Sequence, residues 1–400
     1  MNILIVTPHF WPENFPINNV AKHLSKKNNV SILTGTPHYP NPKIFKKYKN
    51  LFSLEKYENI KIIRIPIFLR KKSNFFYISL NYLSFILSFF FYKKKIINIL
   101  NSVDTILNYG ISPITSAIPC MYLKKKFNCI FNIWVQDIWP DSVRSTGYIK
   151  NNIIYYVLNK ISNAIYTSAD KLIVQSEGFK KIFKDRKFKN IKLFYNSYDT
   201  PNYKKLKKYK LIENILKNNF CITYAGNLGT AQKFDTLIKV AIKLQNKKRI
   251  KFIIIGEGSE KLKLKEEIRR YNLKNVLLFN QIEKDYVNTL QKNSKILFLS
   301  LKKSFIFKNT IPSKLQQYIS IGTPIVGEIE GAAKNLLIKS KCGYVIKHNS
   351  VKNFEDVINK IFSFNKKKLR TIRKNGKNFF DNNFNINNNI KKLENEIKNK

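Results

Sequence analysis

Residues 2–7 form an apolar run closed by Pro8, and a polar loop, a helical stretch over Val20–Lys27 and a second apolar run, Val30–Leu33, follow. That is a strand, helix, strand unit. Similar runs recur at Lys61–Ile65, Thr105–Leu107, Ile130–Val135, Lys171–Val174 and Ile191–Phe194, separated by segments long enough for helices. Continuous apolar strands alternating with helices read as a parallel sheet covered on both faces, so a first α/β domain is expected over residues 1–200. A second series, Cys221–Ala225, Lys251–Ile255, Val276–Phe279, Ile296–Leu299, Pro324–Gly327 and Gly343–Ile346, predicts another over 220–375. Between them, Tyr203–Asn219 is rich in Lys with few strong structure signals, and a basic linker is expected at 201–219. Residues 376–400 read as a polar helix. The fold class is therefore α/β, two doubly wound Rossmann-like domains, and a chain of 400 residues is long enough for two cores.

One segment breaks the alternation. Phe75–Tyr92 is the most apolar stretch, bracketed by Arg70, Lys71 and Lys72 before it and by Lys93, Lys94 and Lys95 after it. It is barely long enough to span a bilayer. Asn81, Ser84 and Ser88 fall on one helical face, leaving a broad Phe/Leu/Ile/Tyr face opposite, which fits an interfacial helix better than a spanning one. An ordinary buried helix stays open as the alternative.

Composition sharpens the list of partners. Lys plus Arg number 73 against 25 Asp plus Glu, a formal charge of +48, and such an excess suits phosphorylated substrates or an anionic membrane surface. Lys, Asn, Ile and Phe dominate almost everywhere, so drift in base composition competes as the source of that charge. The basic residues are scattered, with no zinc-ligand spacing or nucleic-acid motif, and nucleic acid is not expected as a partner. The four cysteines are far apart and unpaired in spacing, which points to a reducing compartment, and the start of the chain has no secretory signal; a cytoplasmic protein with no metal is expected.

Candidate chemistry concentrates in the second domain. Tyr224-Ala225-Gly226-Asn227-Leu228-Gly229-Thr230 follows a strand and precedes a helix, so its glycines permit close backbone approach at a helix N-terminus, as a phosphate cradle requires. Ile255-Gly256-Glu257-Gly258-Ser259 is a second such turn, fit to border a nucleobase. Ile311-Pro312-Ser313-Lys314 opens a short helix, where free N–H groups and the fixed charge of Lys314 suit a diphosphate.

Five dispersed motifs carry a family resemblance. Phe10-Trp11-Pro12-Glu13-Asn14-Phe15, Leu33-Thr34-Gly35-Thr36-Pro37-His38-Tyr39-Pro40, Trp134-Val135-Gln136-Asp137-Ile138-Trp139-Pro140-Asp141-Ser142, the Gly-Asn-Leu-Gly turn and the Pro-Ser-Lys segment occur in that order. Together they resemble the WbuB-like branch of glycosyltransferase family 4. The resemblance implies the GT-B fold with an interdomain cleft, the acceptor bound by the first domain and the donor by the second, and a terminal helix that crosses back to the first. It implies retention of anomeric configuration without a metal ion or other cofactor, and the sequence shows no Asp-x-Asp suited to a divalent ion and no His cluster. It also implies a nucleotide-sugar donor, UDP-linked and carrying an amino or deoxy sugar, and a polyprenyl-diphosphate-linked glycan acceptor in bacterial surface polysaccharide (O-antigen) synthesis, on the inner face of the cytoplasmic membrane.

Site residues follow from the same match. Lys314, Gln136 and Asp137 are the catalytic candidates, Lys314 on the leaving diphosphate together with Lys233, and Gln136 or Asp137 orienting a reacting sugar. Gly226, Asn227, Gly229, Gln232, Lys233, Gly256, Ser313, Gln317 and Glu330 are expected on the donor, and His9, Glu13 and His38 on the acceptor side. The chain departs from the family at several of these. Asn227 and Gln232 or Lys233 stand where Arg and Lys are usual, Asn309 and Gln317 replace a pair of glutamates, Gln136-Asp137 replaces His-Asp, and Pro12–Asn19 lacks the family's glycines. Two other classes remain as alternatives, a nucleotide-sugar epimerase of the same plan, against which Phe75–Tyr92 argues, and a basic scaffold for nucleic acid or membrane.

Overall fold

The apolar runs become strands whose alternate residues feed two different cores. In the computed structural model, which describes residues 1–39, 43–69, 75–145, 147 and 149–399, the chain divides into unit 1 (Met1–Tyr198 with Ile386–Lys400) and unit 2 (Asp199–Asn385). Unit 1 contains β1 (Asn2–Val6), β2 (Asn29–Gly35), β3 (Ser53–Tyr57), β4 (Ile60–Ile65), β5 (Thr105–Gly110), β6 (Ile130–Val135), β7 (Lys171–Val174) and β8 (Ile191–Leu193). They form one sheet in the order β3-β4-β2-β1-β5-β6-β7-β8, parallel except for β3 at the edge. Leu4 and Val6 of β1 join the core on one face, Ile3 and Ile5 that on the other, as the two-residue period of a strand dictates.

Unit 2 contains β9 (Phe220–Ala225), β10 (Ile250–Ile255), β11 (Val276–Phe279), β12 (Ile296–Ser300), β13 (Ile325–Glu328) and β14 (Gly343–Val345), ordered β11-β10-β9-β12-β13-β14 and all parallel. This is the doubly wound order, whose ligands collect outside the carboxyl ends of the strands where the order reverses, here beside β9 and β12.

Three expectations about organisation change. Residues 201–219 are not a linker: Lys210–Asn218 is a helix whose Ile212 and Leu216, with Leu206, pack on Cys221, Ile253 and Ile255 of unit 2. Unit 2 continues past residue 375 through a helix, Lys366–Asn383, with Ile372, Gly376 and Phe380 buried. The helix that rejoins unit 1 is Ile386–Lys398, and its Ile386, Leu393 and Ile397 share a core with Ile3, Ile5, Val20 and Trp134. Its last carbonyls are satisfied from the sheet: Thr105 Oγ1 and Asn132 Nδ2 donate to the Ile397 carbonyl at 2.8 and 3.1 Å, and the buried Lys171 Nζ donates to those of Glu396 and Asn399 at 2.6 and 2.9 Å. Those bonds close the helix end that geometry leaves open.

The apolar segment is a helix over Phe75–Leu100, longer at its end than the apolar stretch of the sequence. Asn81 is buried, donating to the Phe68 carbonyl at 2.6 Å, and Ser84 Oγ accepts from the Phe68 N–H at 2.8 Å, so the polar residues turn toward the protein. Phe85, Phe89, Ile96 and Leu100 enter the core, while Phe76, Leu83, Leu87, Phe90 and Phe91 are exposed. Arg70, Lys71 and Lys72 lie outside the described residues. Among the described residues no helix is long and apolar enough to cross a membrane.

Candidate active site

In unit 1 two loops at the carboxyl edge of the sheet converge on one carboxylate. Glu13, in the loop after β1, is buried and accepts from the backbone N–H groups of His38 and Tyr39 at 2.9 and 2.6 Å, while His9 Nδ1 lies 3.0 Å from its Oε2. Burial alone would raise the Glu13 pKa, but the His9 contact and the two amides outweigh it and hold the carboxyl below its ordinary value. Glu13 is thus a clamp between the loops after β1 and β2 and has little capacity left for sugar hydroxyls. His9 stacks on Phe15 at 5.1 Å, and His38 Nδ1 donates to the Thr36 carbonyl at 3.0 Å; both rings are buried. The sequence reading found no His cluster, yet His9, Glu13 and His38 bring potential ligand atoms within 4.8 Å of one another.

Gln136 and Asp137 follow β6. Gln136 is buried, its Oε1 accepting from Asn196 at 2.8 Å and its carbonyl from Gln175 at 2.9 Å, and its Nε2 has no partner among the described residues. Asp137 Oδ2 accepts from the Ser112 N–H at 3.1 Å, tying the ends of β5 and β6; burial raises its pKa and the Ser112 bonds oppose the shift.

In unit 2 the glycine turns and the Pro-Ser-Lys helix do meet. The helix Ser313–Ile321 starts after Pro312, which leaves the N–H groups of its first turn without intrahelical partners. Lys314 Nζ sits 3.7 Å over the Tyr224 ring, donates to the Tyr224 hydroxyl, and lies where a Cβ on Gly226 would approach it to 2.7 Å. Its charge is not fixed, as the sequence suggested, because burial pushes the ammonium down to about 7. Tyr224 in turn donates to the Asn227 carbonyl at 2.6 Å, so strand end, turn and lysine form one unit.

Beside this lysine lies a cavity of about 530 Å³, lined by Gly226, Asn227, Gly256, Gly258, Gln281 and Gln317 among others. Its walls need glycine: Gly256 and Gly258 have φ of +153° and +151°, and Cβ atoms there would collide with the Gly226 and Leu228 carbonyls. Gln317 Nε2 donates to Asn288 at 3.0 Å.

The other predicted donor residues separate from the cavity. Gln232 Oε1 accepts from the Gly229 N–H at 3.2 Å, closing the turn, and Ser313 is exposed at the first helical position. Lys233 reaches Asn349 at 2.7 Å and lines a different hollow, with Asp235 and Glu260. Glu330 is half-buried and paired with Lys303 at 3.1 Å, and Asn309 donates to the Phe305 carbonyl. Sequence reasoning missed Tyr224, read only as the start of a glycine turn, and Glu328, a buried carboxylate that accepts from Thr236 and Ser300 at 2.8 and 3.2 Å.

Residues 207–379, nearly all of unit 2, match the family model of Glycosyl transferases group 1. The chain is similar along 97% of its length to an uncharacterized glycosyltransferase of Methanocaldococcus jannaschii, at 23% identity over 392 residues and 94% of that protein. The chain is a glycosyltransferase of the GT-B type. Solved structures carry the same architecture through both units. This glycosyltransferase matches Anabaena HepE, solved in complex with UDP, with a TM-score of 0.69 at 14% identity over 99% of each chain. A UDP-forming α,α-trehalose-phosphate synthase from Burkholderia vietnamiensis matches with 0.71 at 10% identity, over 99% of this chain and 96% of its own. At such identities the likeness is one of fold.

Proposed function

We propose that this glycosyltransferase moves a sugar from a nucleotide-diphosphate donor to a polyprenyl-diphosphate-linked glycan, as a WbuB-like member of family 4 building a surface polysaccharide at the inner face of the cytoplasmic membrane. The observation that carries the donor half is Lys314, seated over Gly226 at a helix N-terminus beside a cavity of about 530 Å³. A diphosphate placed there meets the ammonium and the first-turn N–H groups of Ser313 and Lys314, and the cavity has the size of a nucleoside site. A UDP-linked amino or deoxy sugar is the donor we favour, supported by the UDP in the Anabaena structure and the UDP-forming activity of the Burkholderia synthase.

In the reaction the bond from the anomeric carbon to the diphosphate oxygen breaks, and the acceptor hydroxyl oxygen bonds that carbon on the face the diphosphate leaves. The hydroxyl proton passes to the departing phosphate oxygen. Lys314 and the helix amides stabilise the charge that develops there, so the reaction proceeds with retention and without a metal ion. Gln136 and Asp137 act on the acceptor side.

Thermal denaturation with UDP, GDP, ADP and their sugar conjugates, with and without EDTA, tests this reading. A nucleotide at a hundred times its dissociation constant stabilises by about 2.7 kcal/mol, and the shift is expected for uridine nucleotides, with EDTA making no difference. If no nucleotide shifts the wild type, or if Lys314→Ala responds as the wild type does, the site is misassigned. Epimer formed without any acceptor would make the protein an epimerase.

A further inference from the structure

Two helices of unit 1 present apolar side chains to solvent, and only one of them is conspicuous in the sequence. The first is Phe75–Leu100, with Leu83, Leu87, Phe90 and Phe91 exposed, Phe91 to 81%. The second is Asn152–Ser168. Its Ser162, Ile165 and Tyr166 face the core, while Ile153, Ile154, Val157 and Ile161 line the opposite face, Ile153 to 74%.

The two flank a common neighbour. The helix Ile118–Phe127 packs against both, its Tyr122 ring 6.0 Å from those of Phe89 and Phe90, and residues of all three join one core. Each connects parallel strands and so runs antiparallel to them, which brings the first turns of all three to the carboxyl edge of the sheet, where His9 and His38 lie. One hollow is lined by His9, His38, Asn81, Tyr82 and Phe85, so the second and third turns of the first helix reach that edge.

Charge names the occupant. None of the three helices contains an Asp or Glu. Lys94 and Lys95 continue the exposed stripe of the first helix past its apolar turns, and Lys160 stands on the second with its Nζ 5.4 Å from the Tyr156 ring. Apolar side chains edged by lysines and tyrosines, with no acid, match the boundary between acyl chains and anionic headgroups.

We propose that Phe75–Leu100 and Asn152–Ser168 together form the membrane-contact surface of unit 1, and that both lay their exposed apolar faces on an anionic bilayer, which brings the His9 and His38 edge close to it. This rests on the membrane half of the proposed function and adds a second helix and an orientation.

The test is flotation of the full-length protein with phosphatidylcholine vesicles, with or without about 30% phosphatidylglycerol, at low salt. Two variants are compared with the wild type: Leu83→Gln/Leu87→Gln/Phe91→Gln, and Ile153→Gln/Val157→Gln/Ile161→Gln. Each is expected to lower the partition into anionic vesicles at least tenfold relative to wild type, while the near-ultraviolet circular dichroism and the thermal unfolding of the full chain stay unchanged and show that unit 1 is folded. If only the first variant loses binding, the paired surface is wrong although membrane association stands. If the wild type ignores anionic vesicles, both readings fall. If the wild type is a dimer in solution that the second variant dissociates, the second helix is a contact between copies and the proposal is overturned.

Discussion

The carboxyl edges of the two sheets share a strand order over their parallel parts but are built on opposite plans. In unit 1 the carboxylates are engaged within the protein: Glu13 is held by His9 and two amides and Asp137 by Ser112, while Gln136 is held by Asn196 at its oxygen only. In unit 2 three glycines open one wall of a cavity, and Lys314 beside it is desolvated. The first edge offers few open charges, whereas the second sets a desolvated cation beside glycine backbone. The contrast shows why motif residues of equal prominence in the sequence differ so much in what they are free to bind.

Backbone crowding gives the largest expected effect. Gly256→Ala drives a Cβ into the Gly226 carbonyl at a φ of +153°, and should weaken UDP binding by about 100-fold or more, a loss of ~2.7 kcal/mol, measured by calorimetry. Its counterpart in unit 1, Gly35→Ala, meets chiefly the Ile67 side chain, at 3.0 Å, and should cost about 1 kcal/mol or less in thermal denaturation. Equal effects would erase the distinction between the two edges.

Lys314→Ala comes next. Removing a cation from a developing diphosphate should lower turnover about tenfold or more in a steady-state assay, with the far-ultraviolet spectrum unchanged. Its titration sharpens the same point. With a folded value of about 7 and an ordinary lysine value when unfolded, the unfolded chain binds one more proton between those limits, so the stability of unit 2 rises with pH across that window. Binding of UDP runs the other way because it needs the ammonium. Affinity should fall more than about tenfold from pH 6.5 to 8.5, with proton uptake visible in buffers of different ionisation enthalpy and absent in Lys314→Ala.

An effect confined to the stability of unit 1 belongs to Glu13→Gln. It removes charge from a buried clamp and should cost about 1–3 kcal/mol of unit 1 stability in chemical denaturation, leaving UDP binding intact. Because the folded pKa of Glu13 lies below its unfolded value, this contribution is present above the unfolded value and lost as pH falls through the folded one. The difference between variant and wild type should therefore vanish in acid.

Strands were legible wherever both faces are buried, since β1, β6 and β10 are almost wholly apolar and their bounds are plain in the sequence. The antiparallel edge strand β3 was not, because Leu54 and Lys56 face solvent and leave no apolar period. Lys210–Asn218 hid for a related reason, its buried Ile212 and Leu216 lying among lysines. At the site, Lys314 and the glycine turns could be read because the chemistry needs those residue types. The meeting of His9, Glu13 and His38 could not, since parallel strands set it from loops far apart in the chain.

The return of Ile386–Lys398 to unit 1 has a consequence for biosynthesis. A ribosome exposes all of unit 2, residues 199–385, before it releases the helix whose Ile386, Leu393 and Ile397 complete the core of unit 1 and whose end Thr105, Asn132 and Lys171 receive. The half of the protein made first is thus the half finished last, against the usual amino-terminal order of folding during translation. Until that helix is made, unit 1 carries an uncovered apolar groove, so a fragment of residues 1–198 should need it supplied as a separate peptide, whereas residues 199–385 hold their whole core in one continuous stretch.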